Sequence, residues 1–341
     1  MVDTSNNTSC VLIHPKFERA YRIVHAFASV GTPGTVCFLT GASGAGKTTT
    51  LDILPNETFG NPSTWRKDHI PVIRVSANNE QHGRFSQKRL IFDLFCALED
   101  PFRGDPNIAL PGDVLARAEE KMDGIAEWRW MAIVERLGRA YGLQLLIVDE
   151  ANLMCLAPGR RSPSDYLDAL RNLAAKAKIR IVLAGTYDLL EVWNHNAQIN
   201  RRCITVHIER YKKAPSDKQD FLGVLAGIEC QLELPVGILT KNAAKIYESS
   251  YGIPGEVYSH VDKAIVIQNA EKSSVLSWRH FEYSRYLPPQ ISRMQQEADV
   301  GERLLLLPQD MSDPVALKPG YQSPRKPARR KAIRHPTGGA K

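Results

Sequence analysis

The sequence predicts an α/β fold: a five-stranded parallel sheet built around a phosphate-binding loop, then a small helical lid and a disordered basic tail. Three observations predict it. Gly41-Ala42-Ser43-Gly44-Ala45-Gly46-Lys47-Thr48 places two glycines, with four residues between them, before Lys and Thr, between an apolar run and a helix start. Leu145-Leu146-Ile147-Val148 is a second apolar run, and it ends in Asp149-Glu150. From Pro215 onward strand-like runs stop and only helical spacing remains.

Residues 1–10 are polar, and residues 1–13 read as a disordered start. His14-Pro15-Lys16-Phe17 then opens an amphipathic helix with Phe17, Ala20, Tyr21, Val24 and Phe27 at helical spacing. Val36-Cys37-Phe38-Leu39-Thr40 is the strand that enters the loop. In the loop, backbone N–H groups of Gly41, Ala42, Ser43, Gly44, Ala45 and Gly46, and of the helix start at Lys47, Thr48 and Thr49, face an anion favoured by the helix dipole. Lys47 is placed to reach the β- and γ-phosphates of ATP, and the Thr48 hydroxyl to ligate Mg²⁺. The competing reading is a chance glycine-rich turn, against which the flanking strand and helix argue.

After the helix from Thr48 to Leu54, Asn56 to Asp68 reads as loop, and Ile70-Pro71-Val72-Ile73-Arg74-Val75 as a buried strand. Gln87 to Leu98 reads as a helix, and Val114 to Tyr141 as one or two helices interrupted near Gly124. Leu145 to Val148 has no alternation, which fits a parallel strand covered on both faces. At its carboxyl end Asp149 is placed to hold the Mg²⁺ shell through water, and Glu150 to orient or deprotonate the attacking water. Alone, such a run serves equally as a helix cap. About 100 residues after a phosphate loop it points to hydrolysis.

Asp165 to Lys178 predicts a helix and Ile179 to Thr186 a buried strand. Thr186, at that strand's end, is the candidate sensor of the γ-phosphate; the alternative is a plain strand-end turn. Arg201-Arg202 precede the last strand, Ile204 to Ile208, where a subunit presents an arginine to its neighbour's nucleotide. Such a finger is worth about 10³–10⁵ in rate. The alternative is a surface pair bonded to nearby carboxylates. These patterns divide the chain into a core at 14–214, a helical lid at 215–285, and an extension with a basic disordered tail at 286–341. Pro288-Pro289 reads as a break, and Arg303-Leu304-Leu305-Leu306-Leu307-Pro308 as a docking peptide or a last element packed on the lid.

Composition bounds the rest. The chain has 341 residues, 43% of them hydrophobic, enough for a sizeable core. The start lacks a signal-peptide pattern, and no apolar run approaches the roughly 20 residues a membrane helix needs, which predicts a cytoplasmic protein. Six scattered cysteines with no CxxC argue against a zinc site. Residues 318–341 carry eight Lys/Arg and no acid against a net charge of +7, so residues 1–317 sum to about −1. DNA contact by the core must then come from local patches.

Strands with helices between them, followed by helices only, describe an AAA+ ATPase with its lid. Within that class the chain resembles the TniB/TnsC family of transposon ATPases. The resembling residues are His14-Pro15-Lys16-Phe17, the loop from Gly41 to Thr48, Ile147-Val148-Asp149-Glu150-Ala151-Asn152, Tyr166 to Leu173, Ile181 to Thr186, Asn200-Arg201-Arg202 and Leu234-Pro235-Val236. The resemblance spans roughly residues 14–270. It implies a regulator that assembles with ATP into a ring or helical filament on duplex DNA, works with a target-selecting protein, recruits and stimulates a transposase, and disassembles on hydrolysis. It also implies DNA contacts from loops facing the bore, with Arg84, Lys88 and Arg89, and behind them Lys121 and Arg129, as candidates. Two departures stand out: Asn152 replaces the His that many relatives carry, and Glu256 lies where many AAA+ lids place an arginine. A signalling or defence NTPase, a replication-initiator or helicase-loader relative, and a small-molecule kinase are the alternatives.

Overall fold

The computed structural model describes residues 12–66, 68–77, 85–99, 124–156, 163–190 and 199–305. All of these fall within one compact unit, Met1–Leu305. Residues 1–11, Arg84, residues 114–123 (which include Lys121), Leu306-Leu307 and the basic tail lie outside the described residues, so the readings made there are not addressed by it.

Five strands appear where apolar runs predict them: β1 Val36–Gly41, β2 Val72–Ser76, β3 Leu145–Asp149, β4 Arg180–Gly185 and β5 Cys203–Ile208. They form one parallel sheet in the order β2-β3-β4-β1-β5. β1, β3 and β4 carry no polar alternation because both faces are covered. Val36 and Phe38, Leu146 and Val148, and Ile181 and Leu183 face one core with Leu94 and Leu170. Cys37 and Leu39, Leu145 and Ile147, and Val182 and Ala184 face the other, with Val24 and Leu51. Period-two side chains divide each run between the two layers.

The first layer is built by α3 (Gln87–Glu99), α4 (Glu127–Ala140) and α5 (Pro163–Ala177), the second by α1 (Pro15–Val30) and α2 (Lys47–Phe59). α2 runs through Pro55 to Phe59, further than a loop beginning at Asn56 allows. Burial of Leu51 and Leu54 outweighs the one backbone bond Pro55 cannot donate, and the helix stops at Gly60. A short 3₁₀ turn, Pro62–Thr64, is the remaining structure in that stretch.

The lid comprises α6 (Pro215–Gln231), α7 (Ala243–Ser250), α8 (Pro254–Ala270) and α9 (Trp278–Ser284) around Phe221, Leu225, Ile228, Ile246, Val261 and Phe281. Pro288-Pro289 does not break the chain. It opens α10, Pro288–Leu304, because proline at the first helical positions lacks only an N–H that would be unpaired anyway. Gln290 Oε1 accepts from the Leu287 N–H at 2.9 Å and completes that start. Met294 and Leu305 pack on a small apolar cluster of Ala42, Tyr187, Leu190 and Ile253. Glu302 pairs with Arg210 (2.9 Å) and Lys212 (3.3 Å), and Asp299 with Arg210 (3.0 Å). No described helix is long and apolar enough to cross a membrane.

The His14-Pro15-Lys16-Phe17 opening has a structural role. His14 Nδ1 accepts from the Phe17 N–H at 3.3 Å and lies 2.9 Å from the Tyr211 hydroxyl, while Lys16 Nζ pairs with Asp217 at 2.6 Å. The helix start is thereby tied to the lid. Burial, reinforced by Lys16, lowers the His14 pKa to about 4. The unfolded imidazole, near 6.5, then takes up a proton that the folded one refuses. Stability is full above pH 6.5 and falls as pH drops toward 4. Between pH 7 and 5, wild type should lose about 1–2 kcal/mol more than His14→Gln in urea unfolding; parallel losses would show that His14 is not the titrating group.

Candidate functional site

All five strands are parallel, so their carboxyl ends share one edge, and ligands of open α/β sheets bind there. Gly41, Asp149 and Gly185 are the last residues of β1, β3 and β4. The loop Ala42–Gly46 crosses from β1 into α2, and Gly46, at φ 102°, starts that helix in a conformation strained for any residue with a Cβ. Ser43, Gly44 and Thr48 are exposed, Thr49 is half-buried, and Ala42, Ala45 and Lys47 are buried. Lys47 Nζ donates to Gly41 O (3.0 Å) and Ala42 O (2.7 Å). Its pKa is lowered to about 8 by burial, which the Glu150 and Asp149 carboxylates oppose.

Asp149 is buried, and both its oxygens are engaged: Oδ1 accepts from the Glu150 N–H at 2.9 Å, and Oδ2 pairs with Arg74 at 2.7 Å. Glu150 is exposed, and its backbone is left-handed at φ 52°. For a non-glycine residue that costs about 1–3 kcal/mol and is typical of functional sites. The turn it makes is held by the Leu153 N–H on Glu150 O at 2.9 Å.

Thr186 is held from two sides. Its N–H donates to Asn152 Oδ1 at 3.2 Å, and its carbonyl accepts from the Thr40 hydroxyl at 3.3 Å. Asn152, two residues beyond Glu150, therefore ties the end of β4 to the turn after β3. An amide oxygen accepts that bond as an imidazole nitrogen can.

The lid meets the loop directly. The Gly255 N–H donates to Gly44 O at 2.9 Å, and a Cβ at Gly255 would sit 2.4 Å from that oxygen, so only glycine permits the approach. Glu256, in the first turn of α8, accepts from the Tyr286 hydroxyl. A cavity of about 1170 Å³ is lined by Ser43, Asn152 and Thr186 from the core, Glu256 from α8, and Arg293 and Gly301 from α10. α10 thus walls the same space that Thr186 borders.

Arg201 and Arg202 are not brought to this edge. They are exposed in the 3₁₀ turn Ile199–Arg202 at the amino end of β5, where Cys203 is in register with Val36, while Ile208 is in register with Gly41. Five strand rises put them roughly 17 Å or more from their own loop. Of the basic candidates, Arg89 pairs with Asp93 at 3.0 Å in the first turns of α3, beside Lys88, and Arg129 is exposed with its guanidinium over the Trp128 ring at 5.2 Å.

Arg74 is the site residue that the sequence reading passed over. It sits on β2, bridges Asp52 of α2 and Asp149 of β3, and its pKa is raised because these bonds outweigh the effect of burial. A charge in the middle of a run such as Val72-Ile73-Arg74-Val75 was the available signal, since a buried parallel strand tolerates one only when it is paired.

Oxygen donors are what Mg²⁺ requires. Thr48 and Asp149 supply a hydroxyl and a carboxylate, and each Asp149 oxygen retains a second lone pair for a metal-bound water. The residues fit the ion.

Residues 32–193 match a family described as AAA domain. Comparison with the curated proteins finds no match. Among solved structures, the chain is similar to the ORC1 protein of Aeropyrum pernix in complex with DNA. Identity is 15%, coverage 82% of this chain and 67% of that one, and the TM-score 0.54. It is also similar to a Walker-type ATPase of Pyrococcus abyssi (16% identity, 86% and 73% coverage, TM-score 0.50). A third likeness is to the ORC2 protein of A. pernix in its ADP form (14%, 83% and 70%, TM-score 0.50). The likeness is one of fold: a P-loop AAA+ core with helices on both faces of a five-stranded parallel sheet.

Proposed function

We propose that this P-loop AAA+ protein is an ATP-dependent, DNA-binding regulator of DNA transposition. In this reading it assembles as a homo-oligomeric ring or filament on duplex DNA, works with a target selector and a transposase, and disassembles on hydrolysis. The observation that carries the ATPase part is the convergence of Lys47, Thr48, Asp149, Glu150 and Thr186 on one sheet edge, with Arg201 and Arg202 at the other. The transposition part rests on the TniB/TnsC-like motifs quoted above.

The residues have distinct tasks. Loop N–H groups and Lys47 bind the β- and γ-phosphates, and Lys47 exchanges its bonds to Gly41 O and Ala42 O for phosphate oxygens. Thr48 and, through water, Asp149 would hold Mg²⁺, which would neutralise charge on the phosphates. Glu150 orients or deprotonates the attacking water, while Thr186, fixed by Asn152 and Thr40, senses the γ-phosphate. Arg201 and Arg202 lie too far to act in their own subunit and serve a neighbour's site. Lys88, Arg89 and Arg129 offer phosphate contacts, each adding about 0.9 to the slope of log K against log salt.

Turnover measured with and without duplex DNA, together with electron microscopy of the ATP-bound mixture, tests this. DNA-stimulated turnover and rings or filaments that need both ATP and DNA are expected. Turnover indifferent to DNA at low salt would sink the DNA-binding reading. A replication-initiator-like role is the second reading, suggested by the fold likeness to ORC1 solved with DNA. Among the described residues, however, Trp278–Leu305 holds two helices and no strand, not a winged helix. Strand transfer by the transposase of the same element should rise with this protein and ATP; an unchanged yield alongside DNA-stimulated turnover would favour the initiator.

A further inference from the structure

Arg74 joins the two elements from which the Mg²⁺ donors come. Its guanidinium pairs with Asp52, one helical turn beyond Thr48 on α2, and with Asp149 Oδ2 at the end of β3. β2 itself is registered on β3, with Arg74 opposite Ile147 and Ser76 opposite Asp149, so the arginine stands two positions short of the carboxylate it grips. The two halves differ in environment. The Asp149 side chain is 12% exposed and that of Asp52 60%, with Arg74 at 30%. Solvent weakens the Asp52 half, whereas the Asp149 half is the drier and stronger bond.

We propose that Arg74 is a positioning residue for the magnesium site. It fixes the Asp149 carboxylate through Oδ2, as the Glu150 N–H fixes it through Oδ1, and uses Asp52 to hold α2, and with it Thr48, at constant separation from β3. The inference rests on the nucleotide-site reading above. Its logic is that of partners behind metal ligands. An oriented carboxylate binds a metal, or the metal's water, without first losing rotamer freedom, and removing such a partner typically costs 10–100-fold in metal affinity. A free guanidinium beside the site would instead repel the cation. The pairing with two carboxylates leaves the local cluster of Arg74, Asp52 and Asp149 with a net negative charge.

The test is a Mg²⁺ titration of ATP binding by the full chain, read by calorimetry, with a parallel measurement in EDTA. For Arg74→Gln, the Mg²⁺ concentration giving half of the metal-dependent gain in affinity should rise about 10-fold or more. Affinity in EDTA should stay within about 2-fold, since the described partners of Arg74 are Asp52 and Asp149 and neither lies in the loop, and Arg74→Lys should recover part of the shift. Asp52→Asn, which keeps the buried Asp149 pair, should move the midpoint in the same direction by less. It serves as the second variant if Arg74→Gln does not fold.

An unchanged Mg²⁺ midpoint in Arg74→Gln with a lowered melting temperature would overturn the proposal and leave the bridge a purely structural brace. A midpoint that falls would overturn it too, by making Arg74 a competitor of the metal. Failure of the wild type to bind ATP at all would instead overturn the nucleotide-site reading, so the two failures are distinguishable.

Discussion

Lys47→Ala is expected to remove ATP turnover and DNA-dependent assembly together. Lys47 is buried at the turn into α2 and donates to Gly41 O and Ala42 O, both in the loop itself. Alanine removes this buried cation and the bonds it donates to both carbonyls, while Ala42 O keeps the Ala45 N–H at 3.2 Å. Loss of a charged hydrogen bond of about 1.5–3 kcal/mol corresponds to roughly 10–100-fold weaker ATP binding. Loss of its stabilisation of transition-state charge should lower turnover by a further 10²–10³-fold, roughly what one preorganised donor contributes. Calorimetry with ATP, phosphate release and electron microscopy on DNA check the three consequences. ATP-dependent filaments persisting in Lys47→Ala would show that the loop does not couple nucleotide to assembly.

Replacing Arg201 and Arg202 by alanine is expected to lower turnover by about 10³-fold or more while leaving ATP affinity of the isolated subunit within about 2-fold. The register of β5 on β1 gives the reason: the pair sits at the amino end of the strand, and the phosphate loop at the carboxyl end. A residue there cannot touch its own nucleotide, so its loss is felt only where two subunits meet. Mixing decides the matter. Lys47→Ala subunits retain the arginines, and the arginine double variant retains an intact loop, so the mixture should regain turnover that neither variant shows alone. Mixtures that electron microscopy shows to assemble, yet as inactive as the separate variants, would assign the pair to the surface.

Much of this was legible in the sequence because the signals were local. A glycine-rich loop needs its neighbours in the chain, not in space, and the apolar runs of β1, β3 and β4 carry burial on two faces in their composition alone. Asp149 and Glu150 were legible as the end of a buried strand for the same reason; alone such a pair serves equally as a helix cap, and the phosphate loop about 100 residues earlier is what singled it out. What the sequence concealed was nonlocal or ambiguous. Arg74 is one charge in a short strand until Asp52 and Asp149 come together around it across 22 and 75 positions of chain. Pro288-Pro289 carries the same residues whether it ends a segment or starts a helix. That outcome depended on an apolar cluster, including Tyr187 and Ile253, against which α10 packs, and on Arg210 and Lys212 for Glu302 to pair with.

By itself the sequence determined the sheet, the phosphate loop, the acidic pair and the change from core to lid, because each follows from the order and type of adjacent residues. Only the tertiary structure decided which groups share a site. It placed Asn152 under Thr186, Gly255 against Gly44, Arg74 between two carboxylates, and the Arg201-Arg202 pair at the far end of β5. The physical reason is that hydrogen bonds and ion pairs act over about 3 Å, and chain order says little about which distant residues a parallel sheet brings that close.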